Sequence, residues 1–123
     1  MTEEPNSRRT SVLSAVSNAM VRLHKEQFGR GPTQARSNFA GPDMLMCVLE
    51  EVLLPAELKM IEIGEAARVR DTRVAYQTAT ADEFITEVEG IVNRKVRAFG
   101  SAIDTETNVV FENFLFEAQP DET

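Results

Sequence analysis

Apolar residues along the first quarter of the chain return at close to the 3.6-residue turn of a helix. Val12, Val16, Ala19, Met20, Leu23 and Phe28 fall on one side of such a helix, which predicts an amphipathic segment from about Arg8 to Phe28. Ser7 or Thr10 is placed to cap its start, and Gly29 suits the left-handed residue beyond its last turn. The period then shortens to two. Ala35, Ser37 and Phe39 alternate with Gln34, Arg36 and Asn38, which predicts a strand over 33–40. Gly41-Pro42-Asp43 is a turn signal, and Met44 to Leu49 reads as the returning strand of a first hairpin.

In the second half, Pro55 at a first helical position and Glu57 in the same turn open a short helix from Pro55 to Ile63. Gly64 interrupts it. A long helix is then predicted from about Glu65 to Asn93, with Val69, Tyr76, Phe84, Ile85, Val88, Ile91 and Val92 as its stripe. At 1.5 Å per residue it would reach roughly 43 Å. That overhangs a four-stranded sheet, so a kink near Thr78-Ala79-Thr80 or packing beyond the domain is expected. Val96–Ile103 and Val109–Glu117 form a second hairpin about the Asp104–Asn108 loop. The predicted class is therefore α+β. Two antiparallel hairpins form a four-stranded sheet packed with an N-terminal helix and a long central helix, continuous or broken, in the order α-β-β-α-α-β-β. One domain is expected at 8–117, with flexible ends at 1–7 and 118–123.

Two strands depart from simple alternation. Met44 to Leu49 is apolar on both faces, and the last strand sets Val110, Phe114 and Phe116 on one side against Phe111 and Leu115 on the other. An antiparallel sheet with one wet face alternates apolar with polar residues. Cover on both faces is expected here, and a second copy of the chain is the favoured source. The helix overhang points the same way.

Composition narrows the classes. The 123 residues suit one domain with a core of its own, and 42% hydrophobic with 27% charged residues is ordinary for a globular protein. No apolar run nears the roughly 20 residues of a membrane-spanning helix, so no direct membrane insertion is expected. Met1-Thr2-Glu3-Glu4-Pro5 lacks a signal-peptide pattern, and a cytoplasmic setting is the default. A single Cys47 excludes an internal disulfide, and with one histidine it supplies no zinc set; no metal or cofactor is expected. Net charge is −7, which disfavours nucleic acid. Residues 1–41 nevertheless carry +3 and the remainder −10.

Catalytic chemistry is hard to assemble. There is no Walker loop, G-x-G-x-x-G, H-E-x-x-H or nucleophile elbow, and no catalytic residue is assigned. Carboxylate pairs such as Glu50-Glu51 and Asp82-Glu83 read as solvated surface in so acidic a chain. His24 reads as a satisfied histidine at the edge of the core and Cys47 as an inert core thiol. The recognition candidates are cationic. Arg30, Gly31, Pro32 and Arg36 form a turn with unusual backbone needs and fixed charge, and Arg70 and Arg73 share a face of the long helix. These arginines suit an anion or an acidic partner surface. The alternative is pairing with Glu57, Glu62, Glu65 and Asp71.

The run Asn18 to Glu26 leading into Gly29-Arg30-Gly31-Pro32-Thr33-Gln34-Ala35-Arg36 resembles the MpsC-like domain family. So do Leu53-Leu54-Pro55-Ala56-Glu57, Val69-Arg70-Asp71-Thr72-Arg73 and Asn93-Arg94-Lys95-Val96, and the similarity spans roughly 8–117. Leu54 departs from the family pattern, standing where a threonine helix cap is expected. The resemblance implies association with a cation-translocating, membrane-potential-generating system linked to inorganic-carbon uptake, and brings no catalytic residues. A homodimeric, non-enzymatic accessory protein with a membrane-transport partner is the first expectation. The alternative is a small-anion sensor holding bicarbonate or a phosphorylated metabolite on Arg30, Arg36 and Arg73.

Overall fold

A computed structural model describes residues 5–119. Helix α1 (Pro5–Phe28) leads into β1 (Gln34–Phe39) and β2 (Met44–Glu50). After α2 (Pro55–Glu62) and α3 (Ala66–Val92), the chain closes with β3 (Val96–Asp104) and β4 (Val109–Phe116). The α+β class and the element order agree with the pattern reading. Of the ends read as flexible, 1–4 and 120–123 lie outside the described residues, while Pro5 to Ser7 already belong to α1.

All four strands are antiparallel, in the order β1-β2-β4-β3, so the two hairpins meet where β2 pairs with β4. A bulge between Val96 and Ala98 sets Arg97 out of step on the outer strand β3. Helix α1 lies over β1 and β2, α3 over β3, and α2 against α3. Their shared core joins Val16, Met20 and Leu23 of α1 to Leu45, Cys47 and Leu49 of β2 and Phe114 and Phe116 of β4. Burying these side chains provides the main driving force, at roughly 1.5–3 kcal/mol for each large apolar group.

Turn chemistry explains the boundaries. Gly29 (φ 79°) ends α1 as expected, and Gly64 (φ 89°) separates α2 from α3. Asn93 (φ 62°) closes α3 in the left-handed region, its N–H bonded to the Glu89 carbonyl at 2.8 Å. Gly31 has a different reason for being glycine. Its φ is not positive; a Cβ there would stand 3.0 Å from the Val21 carbonyl oxygen and 3.2 Å from Val21 Cγ1, so close approach to α1 demands it.

The long helix corrects one assignment. α3 is continuous, with no break at Thr78–Thr80, although both threonines donate to the carbonyl four residues back. Its inward positions are Val69, Arg73, Phe84 and Val88. Tyr76, placed in the stripe by spacing, is 45% exposed, and Arg73 is only 7% exposed. An arginine takes a core position here because a carboxylate from another helix meets it.

Candidate functional site

That carboxylate is Glu57. Leu54 offers no side-chain oxygen to cap α2, so Glu57 turns back and accepts the Leu54 N–H at 2.8 Å. Its two oxygens then take Arg73 Nε at 2.8 Å and Arg73 Nη2 at 2.5 Å. Arg73 also donates to the Val52 carbonyl, and its guanidinium lies 3.8 Å over the Phe28 ring. Burial pushes the Glu57 carboxyl up, but the Arg73 hydrogen bonds, the Leu54 N–H and the Arg73 charge outweigh it and hold the group below its ordinary value. One pair, a buried Arg73 and a half-buried Glu57, thus ties α2, α3, the end of α1 and the segment after β2.

The other recognition candidates are scattered. Arg36 points from the uncovered face of β1 and pairs with Glu50 at 2.9 Å. Arg73 lies among the helices on the opposite side of the sheet. Arg70 reaches the Thr105 hydroxyl at 3.3 Å, and Arg30 is exposed after α1. Pro32 is buried, and Gly31 lies against α1. These residues do not converge on a common anion. Arg36 and Arg73 are separated by the sheet, and each already holds a carboxylate.

A second group of polar side chains, brought together by the fold, escaped the pattern reading as a cluster. Across the covered face of the sheet, Ser37, Cys47, Glu112 and Ser101 occupy one row, strand by strand, through the pairs Ser37–Cys47, Cys47–Glu112 and Ser101–Glu112. Ser17 of α1 meets Ser37 at 2.8 Å, and Ser37 Oγ donates to Cys47 Sγ at 3.5 Å. His24 Nε2 lies 3.3 Å from Glu112 Oε1, and the two residues are only 4% and 3% exposed. Burial pushes the Cys47 thiol up to about 11, with the Ser37 hydrogen bond opposing and the Glu112 charge reinforcing the shift. The thiol is therefore protonated at neutral pH and is no nucleophile.

Beside this row is a crevice with a cavity volume of about 30 Å³, walled by Phe28, Phe84, Ile103 and Val110, with His24, Gln27 and Glu112 among its lining. His24 Nδ1, Gln27 Nε2 and Glu112 Oε2 are buried there without a hydrogen-bond partner. His24 also packs edge-on to Phe84, with ring centroids 5.6 Å apart. No spacing rule could have flagged this cluster, because it joins residues 88 positions apart. The available signal was Glu112 itself, a carboxylate at the inward position between Val110 and Phe114.

The opposite face of the sheet carries Met44, Met46 and Val48 beside Phe111, Asn113 and Leu115, the Asn113 Oδ1 lacking a hydrogen-bond partner, and no described helix packs on it. Met46 is 38% and Phe111 36% exposed. Among the described residues, no helix is long and apolar enough to cross a membrane, and no group of three or more His, Cys, Asp or Glu is placed to hold a metal ion.

Fold and site together define a two-layer α+β protein with a polar row inside and a bare apolar face outside. The model of the family described as "Na+-translocating membrane potential-generating system (MpsC)" matches residues 8–118, and the chain belongs to the MpsC family. No curated protein and no solved structure matches it.

Proposed function

We propose that this chain is a non-enzymatic accessory protein that works as a face-to-face homodimer in partnership with a membrane ion-transport system. The observation that carries the pairing is the bare stripe of Met44, Met46, Val48, Phe111 and Leu115 across the two central strands. A second copy is the occupant the surface fits. Small residues Ala98, Gly100 and Ala102 stand beside Leu115, Asn113 and Phe111 on the same face, which leaves room there for the side chains of a second copy related by a two-fold axis. Charge is displaced to the edge, where Arg36 is already neutralised by Glu50, as suits a homodimer interface. Methionines add side chains that adapt their shape to a partner.

A non-catalytic role is supported by the state of the reactive groups: the Cys47 thiol is buried and protonated, and Glu57 is occupied by Arg73. The family description supports a membrane-transport setting. Sedimentation velocity at micromolar concentration tests the pairing. A dimer is expected, converted to a monomer of unchanged circular dichroism by Met46→Glu with Phe111→Glu. A monomeric wild-type chain at every concentration tried overturns the reading.

A further inference from the structure

Where the first turns of α1, the end of α3 and the β1–β2 turn meet, the surface opens into a groove of about 390 Å³. It lies on the helix side of the sheet, since Phe39 shares its face of β1 with Ser37, which meets Ser17 of α1. Arg8, Arg9 and Arg94 supply its charge, and no carboxylate stands among its described lining residues. Elsewhere this acidic chain neutralises its cations locally: Arg22, Arg36, Arg68 and Arg73 each hold a glutamate.

Arg9 and Arg94 are held by neutral partners instead. The Arg9 guanidinium stacks 5.0 Å over the Phe39 ring. That contact uses the face of the group, and its N–H donors lie in the plane. Arg94 stacks 4.9 Å over Phe116 and donates to the Pro42 carbonyl at 2.7 Å and the Glu117 carbonyl at 3.1 Å. Rings and carbonyls steady a guanidinium without cancelling its charge. Both cations are tied to one turn, because Phe39 and Pro42 are three residues apart in it. Arginine does not deprotonate in proteins, so this charge needs no assumption about titration.

We propose that the groove binds a soluble phosphate monoester with an apolar organic part. The phosphoryl group meets Arg9 and Arg94, and the organic part lies against Val12, Pro42 and Val92. Two uncancelled cations match a dianion better than a monocarboxylate, and a phosphate monoester carries nearly two negative charges at neutral pH. The guanidinium fork also suits phosphate oxygens. The volume falls in the range of small-molecule sites and exceeds what inorganic phosphate fills.

Phenyl phosphate is the probe. Titrating it at neutral pH and low salt into the 15N-labelled chain should shift backbone amides of residues 8–12, 39–43 and 92–94 saturably. Phenyl sulfate has the same shape with one charge, and inorganic phosphate lacks the apolar part. Each should bind at least about tenfold more weakly. Arg9→Gln changes an exposed side chain and should weaken phenyl phosphate by about tenfold with circular dichroism unchanged. No saturable response to phenyl phosphate would overturn the proposal, as would equal affinity for phenyl sulfate or unaltered affinity in Arg9→Gln. Binding to phosphatidic-acid vesicles without a response to phenyl phosphate would overturn it too, by assigning the groove to a lipid surface. If Arg9→Gln does not fold, the wild-type shift map and the ranking of the three ligands decide. Their outcome does not depend on whether the chain dimerises, because the bare face is on the other side of the sheet.

Discussion

The two faces of this sheet both mix polar with apolar groups, and they differ in which one the helices cover. Beneath the helices, where water is excluded, the strands set Ser37, Cys47, Glu112 and Ser101 in a row. On the side without helices, they set Met46, Val48, Phe111 and Leu115. The lesson is that residue type alone does not say which face is the core. Helix cover does, and polar groups persist beneath it when a neighbour from another element meets them. His24 does so for Glu112, Ser17 for Ser37, and Glu57 for Arg73.

This contrast is most strongly tested by two phenylalanines of the same strand. Phe114→Ala opens a hole in the covered core and should cost about 3–5 kcal/mol in urea unfolding. Phe111→Ala removes as many atoms from the bare face and should change the stability of an isolated chain by less than about 1 kcal/mol. The chain has no tryptophan, so circular dichroism is the suitable signal. Equal losses would show that both faces are interior in solution.

Arg73→Met comes next. It leaves the half-buried Glu57 carboxylate with only the Leu54 N–H as its partner and should cost about 1.5–3 kcal/mol at neutral pH. Because the folded state lowers the Glu57 pKa, the pair's contribution is complete above the ordinary carboxylate range. It is lost as pH falls through the lowered value. Stability curves of wild type and variant should therefore converge on the acid side; parallel curves would show that the loss is one of packing. The smallest expected effect belongs to Gly31→Val. Crowding against Val21 should lower stability by about 1–3 kcal/mol in the same urea assay, without the strain of a positive φ.

Much of the fold was legible because alternation and helical spacing are local. Val110, Phe114 and Phe116 declared a common side of β4, although not that the helices cover that side, and Gly29 and Gly64 declared two helix ends. What escaped depended on partners distant in sequence. Spacing on α3 favoured Tyr76 over Arg73 because an arginine belongs inside only beside a carboxylate, and Glu57 lies 16 positions away on another helix. His24 was read as a satisfied histidine at the edge of the core; it is buried, with Nδ1 unpartnered, and the partner of its Nε2 was not legible. The glutamate that meets it stands 88 positions along the chain, amid aromatic residues that pointed only to packing. The arginine loop stood out through local charge, and strand alternation then sent Arg36 to the far side of the sheet from Arg73.

The misplaced residue in β3 has a consequence for higher assembly. Outermost strands invite another chain to extend the hydrogen-bond ladder, and an uninterrupted one is a template for runaway polymer growth. By putting Arg97 out of step between Val96 and Ala98, the protein interrupts that template at one end and places a cation there. The edge formed by β3 is thereby made a poor place for another chain to join rim to rim into a fibre.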